Sequence, residues 1–160
     1  LEGIPAIYLH SFVATKNDIN RVENTGHNRA INRHQWGLAE LTDRLSDPDT
    51  EHAQCLQAIK RLIGIRQEQP AFHPNATQFT LNCGRSIFGF WRQSTDRAQS
   101  IFCLYNVTPG HTTIATASLN LVGSDSWRDL ISGEALDLSP GDSNIALSPH
   151  QAIWLTNTNR

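Results

Sequence analysis

Methionine is absent from all 160 residues. A chain without a start residue is expected to be one part of a longer product. Cysteine occurs only three times, as Cys55, Cys83 and Cys103, with no close pair. An odd, scattered set suits reduced, buried thiols in a cytoplasmic protein better than a disulfide scaffold. No apolar run approaches the roughly 20 residues that cross a bilayer, so no membrane partner is expected. No basic stretch followed by an apolar one opens the chain, as a signal peptide would. A basic excess is also missing: 13 Lys and Arg face 15 Asp and Glu, a net charge of -2. That argues against the concentrated basic surface of a nucleic-acid binder.

Signatures of several chemistries are missing too. Glycines are scattered at turns and form no phosphate-cradling loop. No nucleophile elbow is present. Seven histidines are present, but no Cys or carboxylate cluster completes a ligand set around His27 or His34, and no metal or cofactor is expected. The acids sit in loops and at helix ends, as Asp47, Asp49 and Glu51 do, where solvated charge and capping explain them.

What is present is a globular composition, 39% apolar and 18% charged. Its character changes near Pro70. Before it, Ile4 to Tyr8 reads as a short buried strand, followed by a polar loop through Lys16, Asn17 and Asp18. Leu38, Leu41 and Leu45 predict a helix over 35–45, stopped by Asp47-Pro48. A second helix is predicted over 51–68, with Thr50 or Asp49 as N-cap and a stripe of Cys55, Ile59, Leu62 and Ile63.

Beyond Pro70 the period becomes 2. Strands are predicted over 78–83, 86–92, 99–107, 111–121, 127–131, 135–138, 144–147 and 151–155. Gly84-Arg85, Pro109-Gly110, Gly123, Ser132-Gly133, Pro140-Gly141 and Ser148-Pro149 separate them. Such spacing predicts an antiparallel β-sandwich, with Phe88, Phe90, Trp91, Phe102, Tyr105, Trp127 and Trp154 as its bulk. The domains are therefore read as 1–70 and 71–160. The first is incomplete in kind, because one strand and two helices do not close an α/β core.

One segment is dense in hydrogen-bond donors: Thr25-Gly26-His27-Asn28-Arg29-Ala30-Ile31-Asn32-Arg33-His34-Gln35-Trp36. If it is helical, Arg29 and Arg33 share a face. A guanidinium fork fixes carboxylates, phosphates or sugar hydroxyls. The alternative is a solvated basic turn.

Larger patterns add a resemblance. Gly3-Ile4-Pro5-Ala6-Ile7-Tyr8 resembles the eighth barrel strand of the α-amylase superfamily, glycoside hydrolase family 13. Arg66-Gln67-Glu68-Gln69-Pro70-Ala71 is similar to the end of its last barrel helix. Trp127-Arg128-Asp129-Leu130-Ile131-Ser132-Gly133 and Leu147-Ser148-Pro149-His150-Gln151-Ala152 resemble closing strands of its C-terminal β domain, although His150 stands where Tyr is usual. Lys16-Asn17-Asp18 and Ile31-Asn32-Arg33-His34-Gln35-Trp36 resemble the sucrose phosphorylase subfamily.

The resemblance implies an α+β fragment: the last strand and helices of a TIM barrel, then an antiparallel β-sandwich domain. It implies retaining glucosyl transfer to phosphate through an Asp nucleophile and a Glu acid–base. Those carboxylates belong to earlier barrel strands, so the chain is expected to be inactive alone and to need the missing barrel portion as partner. By register, Arg33 is the expected sugar-binding arginine, Arg29 the second, and Asp18 shapes the same rim. The sugar and phosphate are the implied ligands, and a homodimer is a further possible partner. The alternatives are an amylase-type hydrolase such as an α-glucosidase, and a non-catalytic carbohydrate-binding β module whose aromatics stack on sugars.

Overall fold

The structure is a computed structural model that describes residues 2–119, 126–136, 138 and 144–157. Two compact units divide the chain. One is Pro5–Gly64; the other is Ile65–Arg160 together with Leu1–Ile4.

The first unit is helical. It contains α1 (Leu9–Phe12), α2 (Ile19–Thr25), a 3₁₀ helix (Asn28–Asn32), α3 (Leu38–Ser46) and most of α4 (Glu51–Gln67). The strand expected over Ile4 to Tyr8 is not formed; these residues are irregular, with Ile7 47% and Tyr8 54% exposed. A strand is held by a hydrogen-bonded neighbour. None of the strands among the described residues pairs with this run.

α3 begins at Leu38, after Gly37, and not at Gln35. Leu38 is exposed, so of the expected apolar face only Leu41 and Leu45 are half-buried. α4 follows its prediction closely. Thr50 is its cap: the Ala53 N–H donates to Thr50 Oγ1 at 3.2 Å, satisfying one orphan donor of the first turn. The predicted stripe is only half-buried, and the deepest side chains of α4 are His52 and Ala53.

Among the described residues, every strand pairing of the second unit is antiparallel. Its strands are β1 (Thr77–Leu81), β2 (Ile87–Gln93), β3 (Ser100–Asn106), β4 (Thr112–Ala115), β5 (Trp127–Asp129), β6 (Ala135–Leu136), β7 (Asn144–Leu147) and β8 (Ala152–Thr156). A six-stranded sheet runs β1-β2-β3-β8-β5-β6, and β4 pairs with β7 in a second sheet. The strand expected over 111–121 stops at Ala115, and the chain turns into a 3₁₀ helix at Thr116–Leu119. β5 stops at Asp129 rather than Ile131, because the Asp129 carboxylate takes the Ile131 and Ser132 N–H groups into a turn. The turn signals at Gly123 and Pro140-Gly141 lie outside the described residues.

The central strand β3 is buried on both faces. Phe102 and Leu104 join Ile87, Ile114, Trp127, Ile145, Leu147, Ile153 and Leu155 in one cluster fed by both sheets. Ile101 and Cys103 point the other way, toward Ala71, Phe72 and Phe90. Each fully buried large apolar side chain stabilises the unit by about 1.5–3 kcal/mol against exposure. An aromatic row crosses the sheet: Phe79 to Trp91 at 4.7 Å, Trp91 to Phe102 at 5.6 Å, Phe102 to Trp127 at 5.4 Å between centroids.

Two polar side chains fasten the Pro70-Ala71-Phe72 turn to this sheet. Arg92 of β2, fully buried, donates from Nε to the Ala71 carbonyl at 3.1 Å and from Nη2 to the His73 carbonyl at 2.6 Å. Gln99 Oε1 accepts from the Ala71 N–H at 3.0 Å. Burial, and the nearby Arg66 charge, hold the Arg92 guanidinium below its ordinary pKa.

Candidate functional site

The donor-rich segment lies in the helical unit, and its local structure explains where its arginines go. Asp18 caps α2: its Oδ1 accepts from the Arg21 N–H at 2.9 Å. Gly26 ends the helix in the left-handed region at φ 66°, where a Cβ would be strained, and its N–H donates to the Val22 carbonyl at 2.8 Å. The chain then makes the 3₁₀ helix Asn28–Asn32 and leaves it at Arg33.

A helical face shared by Arg29 and Arg33 is therefore not what joins them. A 3₁₀ helix has three residues per turn, so positions four apart diverge. The two arginines meet because the helix ends between them. Both line one open cleft of about 480 Å³, with Arg21, Thr25, Gly26, His27, Asn28 and Ala30. No acidic residue is among its lining residues. Arg21 is the member that sequence reading missed. Its signal was available: an Asp cap at 18 and a Gly stop at 26 bracket a helix where a polar loop was expected.

Asp18 lines a neighbouring cleft of about 310 Å³ instead, with Lys16, Asn17, His34, Trp36 and His52 among the walls. Its Oδ2 stands 3.0 Å from His34 Nδ1. The hydrogen bond from His34, then that from the Arg21 N–H, holds the Asp18 carboxyl below its ordinary value of 3.8. Trp36 Nε1 donates to Thr15 Oγ1 at 2.9 Å, and the His34 and His52 rings sit edge-on to the indole at 4.7 and 5.2 Å. His52 Nδ1 lies 2.7 Å from the Val13 carbonyl; a carbonyl only accepts, so this nitrogen carries the proton. Lys16 pairs with Glu51 at 2.7 Å on the surface. Among the described residues, no group of three or more His, Cys, Asp or Glu is arranged to hold a metal ion.

Comparison with solved structures identifies the fold. An Anoxybacillus α-amylase aligns over 81% of this chain and 25% of its own, with a TM-score of 0.59 at 15% identity. AmyP in complex with maltose aligns over 66% of this chain and 20% of its own, with a TM-score of 0.57 at 17% identity. The mixed helical and antiparallel-sheet architecture is thus that of α-amylase family structures.

Sequence comparison is more particular. No family model matches the chain. Glucosylglycerate phosphorylase of Allomeiothermus silvanus is 33% identical over 97% of this chain and 24% of its own length. That of Escherichia coli K12 is 34% identical over 96% of this chain and 25% of its own. Sucrose phosphorylase of Bifidobacterium adolescentis is 31% identical over 64% of this chain and 19% of its own. The chain spans about a quarter of the length of the glucosylglycerate phosphorylases it matches. It is related to the C-terminal part of α-amylase superfamily enzymes, glycoside hydrolase family 13. Its relatives are glycoside phosphorylases of the sucrose phosphorylase family, a glucosyl-transferring group.

Proposed function

We propose that this chain serves as the C-terminal part of a retaining enzyme that passes glucose from an α-glucoside to phosphate. In this reading, residues 1–70 are the end of a (β/α)8 barrel and residues 71–160 a β-sandwich domain that supports it. The observation that carries the proposal is the acid-free arginine cleft, in a chain related over nearly its whole length to glycoside phosphorylases. Guanidinium forks suit both phosphate oxygens and sugar hydroxyls. Arg33 is the proposed principal substrate contact and Arg29 the second, while Asp18, expected on the same rim, lines the neighbouring cleft.

Retaining transfer needs one carboxylate as nucleophile and another as acid and then base. We assign those groups to earlier barrel strands, so these residues alone do not turn over substrate. The donor favoured is a glucoside of a small acid such as glycerate, because the glucosylglycerate phosphorylases match almost all of this chain and the sucrose phosphorylase about two thirds. The three unpaired thiols support a cytoplasmic setting.

The test is product analysis of the full-length protein that carries this chain. Supplied with glucosylglycerate or sucrose and inorganic phosphate, it is expected to release glucose 1-phosphate. Release of free glucose with no phosphate dependence would replace the proposal with an amylase-type hydrolase.

A further inference from the structure

The segment that presents Arg33 is held residue by residue, through three backbone carbonyls and one side chain. The Asp18 N–H donates to the Ile31 carbonyl at 2.7 Å. The Tyr8 hydroxyl donates to the Asn32 carbonyl at 3.0 Å. Arg21 Nη1 donates to the Arg33 carbonyl at 3.0 Å. The His34 ring then meets Asp18 Oδ2 at 3.0 Å. Four consecutive residues are thus fastened, and Asp18 supplies both the first and the last of these ties.

The protonation of the last tie follows from chemistry. An ionised carboxylate only accepts, so His34 Nδ1 carries the shared proton. Asp18 Oδ1 is meanwhile occupied by the Arg21 N–H at 2.9 Å. Both carboxylate oxygens are therefore engaged with the protein. The geometry points to Asp18 as a positioning residue: it fixes the Arg33 segment on α2 through His34 and does not contact substrate. This inference rests on the arginine cleft being the substrate-contacting site, and it deepens that reading by dividing the named residues into contacts and a support.

The consequence is preorganisation. Arg33 is exposed, and a long side chain on a loose loop must be ordered when substrate arrives. Anchoring these four residues removes the loop's share of that cost in advance, and displacement of a contact group by an ångström is enough to lower transfer by orders of magnitude.

The experiment uses the full-length protein with the variants Arg33→Ala, Asp18→Ala, His34→Ala and His34→Gln. Two quantities are measured: the KM for glucosyl donor and for phosphate, and deuterium uptake of the peptide covering 30–34. Arg33→Ala is expected to raise one of the two KM values. Asp18→Ala and His34→Ala are then expected to raise that same KM about tenfold and to speed uptake. His34→Gln, which keeps a donor for Asp18, is expected to restore both.

An unchanged KM and uptake in Asp18→Ala, beside a raised KM in Arg33→Ala, overturns the positioning role and leaves the cleft reading standing. No effect of Arg33→Ala overturns the cleft reading itself, and the positioning role with it. Should Asp18→Ala not fold, the contrast between His34→Ala and His34→Gln decides the matter: equal behaviour of the two overturns the positioning role.

Discussion

The Asp129 carboxylate spans from β5 to β8, where Oδ1 accepts from the Trp154 N–H at 2.8 Å. The same carboxylate takes the N–H groups of Ile131 and Ser132, each at 3.0 Å. It is 3% exposed. One side chain thus ends a strand, shapes the following turn and joins two neighbours in the sheet. Asp129→Ala leaves all three donors without this acceptor. It is expected to destabilise the β unit by about 3 kcal/mol, read from the midpoint of a urea unfolding curve. A shift below about 0.5 kcal/mol would show that water replaces the carboxylate freely.

Two glycines are expected to respond in opposite directions to alanine. A Cβ on Gly89 of β2 would lie 2.5 Å from Cys83 Sγ and 3.2 Å from Leu104 Cδ2. Gly89→Ala must displace core atoms and is expected to cost about 1–3 kcal/mol. A Cβ on Gly64 of α4 would meet no atom within 4 Å. There alanine restores helix propensity, and Gly64→Ala is expected to stabilise by about 0.5–1 kcal/mol. Thermal melts of the two variants beside the parent check the signs.

Thiol chemistry follows burial. Desolvation pushes the Cys103 thiol up to about 12. It is fully buried in β3 between Phe102 and Leu104. Only the thiolate is a good nucleophile, so Cys103 is expected to resist iodoacetamide at pH 8 until the unit unfolds. Mass spectrometry of peptides alkylated with and without urea reads this directly. Rapid native labelling of Cys103 would contradict the described packing.

Acid is expected to loosen the arginine segment. The Asp18 carboxyl is held below its ordinary value by the His34 hydrogen bond and the Arg21 N–H. A folded pKa below the unfolded one means that the stabilisation is complete above about pH 4 and fades as pH falls through the folded value. The protection of amides across 30–34, taken as uptake relative to the unfolded chain at the same pH, should therefore fall below about pH 4 in the parent. In Asp18→Asn, which has no charge to lose, that step should flatten. A step of equal size in the variant would assign it to another group.

Much of the β unit was legible in the residues. Alternation in Gln78 to Cys83 and Ser86 to Arg92, with Gly84 between, marks a hairpin, and β1 pairs antiparallel with β2, Phe79 opposite Trp91. Period 2 carries this information locally. Failures came where a pattern was cut short by something distant. Thr and Ile over 111–121 read as one strand, yet β4 ends at Ala115 with its ladder to Asn144 of β7. The apolar run Ile4 to Tyr8 reads as a strand but finds no partner strand among the described residues. Nothing in the run itself encodes a neighbour.

The candidate site divides in the same way. Arg29 and Arg33 stood out because donor density is a property of adjacent residues. Arg21 did not, because it enters the cleft from a different helix. Asp18 was placed on the same rim by register, whereas the fold turns its oxygens toward Arg21 and His34.

The order of residues by itself determined where helix period gives way to strand period, which turns break the strands, and which family the motifs resemble. These depend on neighbours within a few positions. The tertiary structure alone decided that Arg92 is buried against two carbonyls, that Asp129 reaches β8, and that three arginines share a cleft without an acid. Each of these joins groups far apart in the chain, and a hydrogen bond or a shared cavity exists only once the backbone has brought them within a few ångströms.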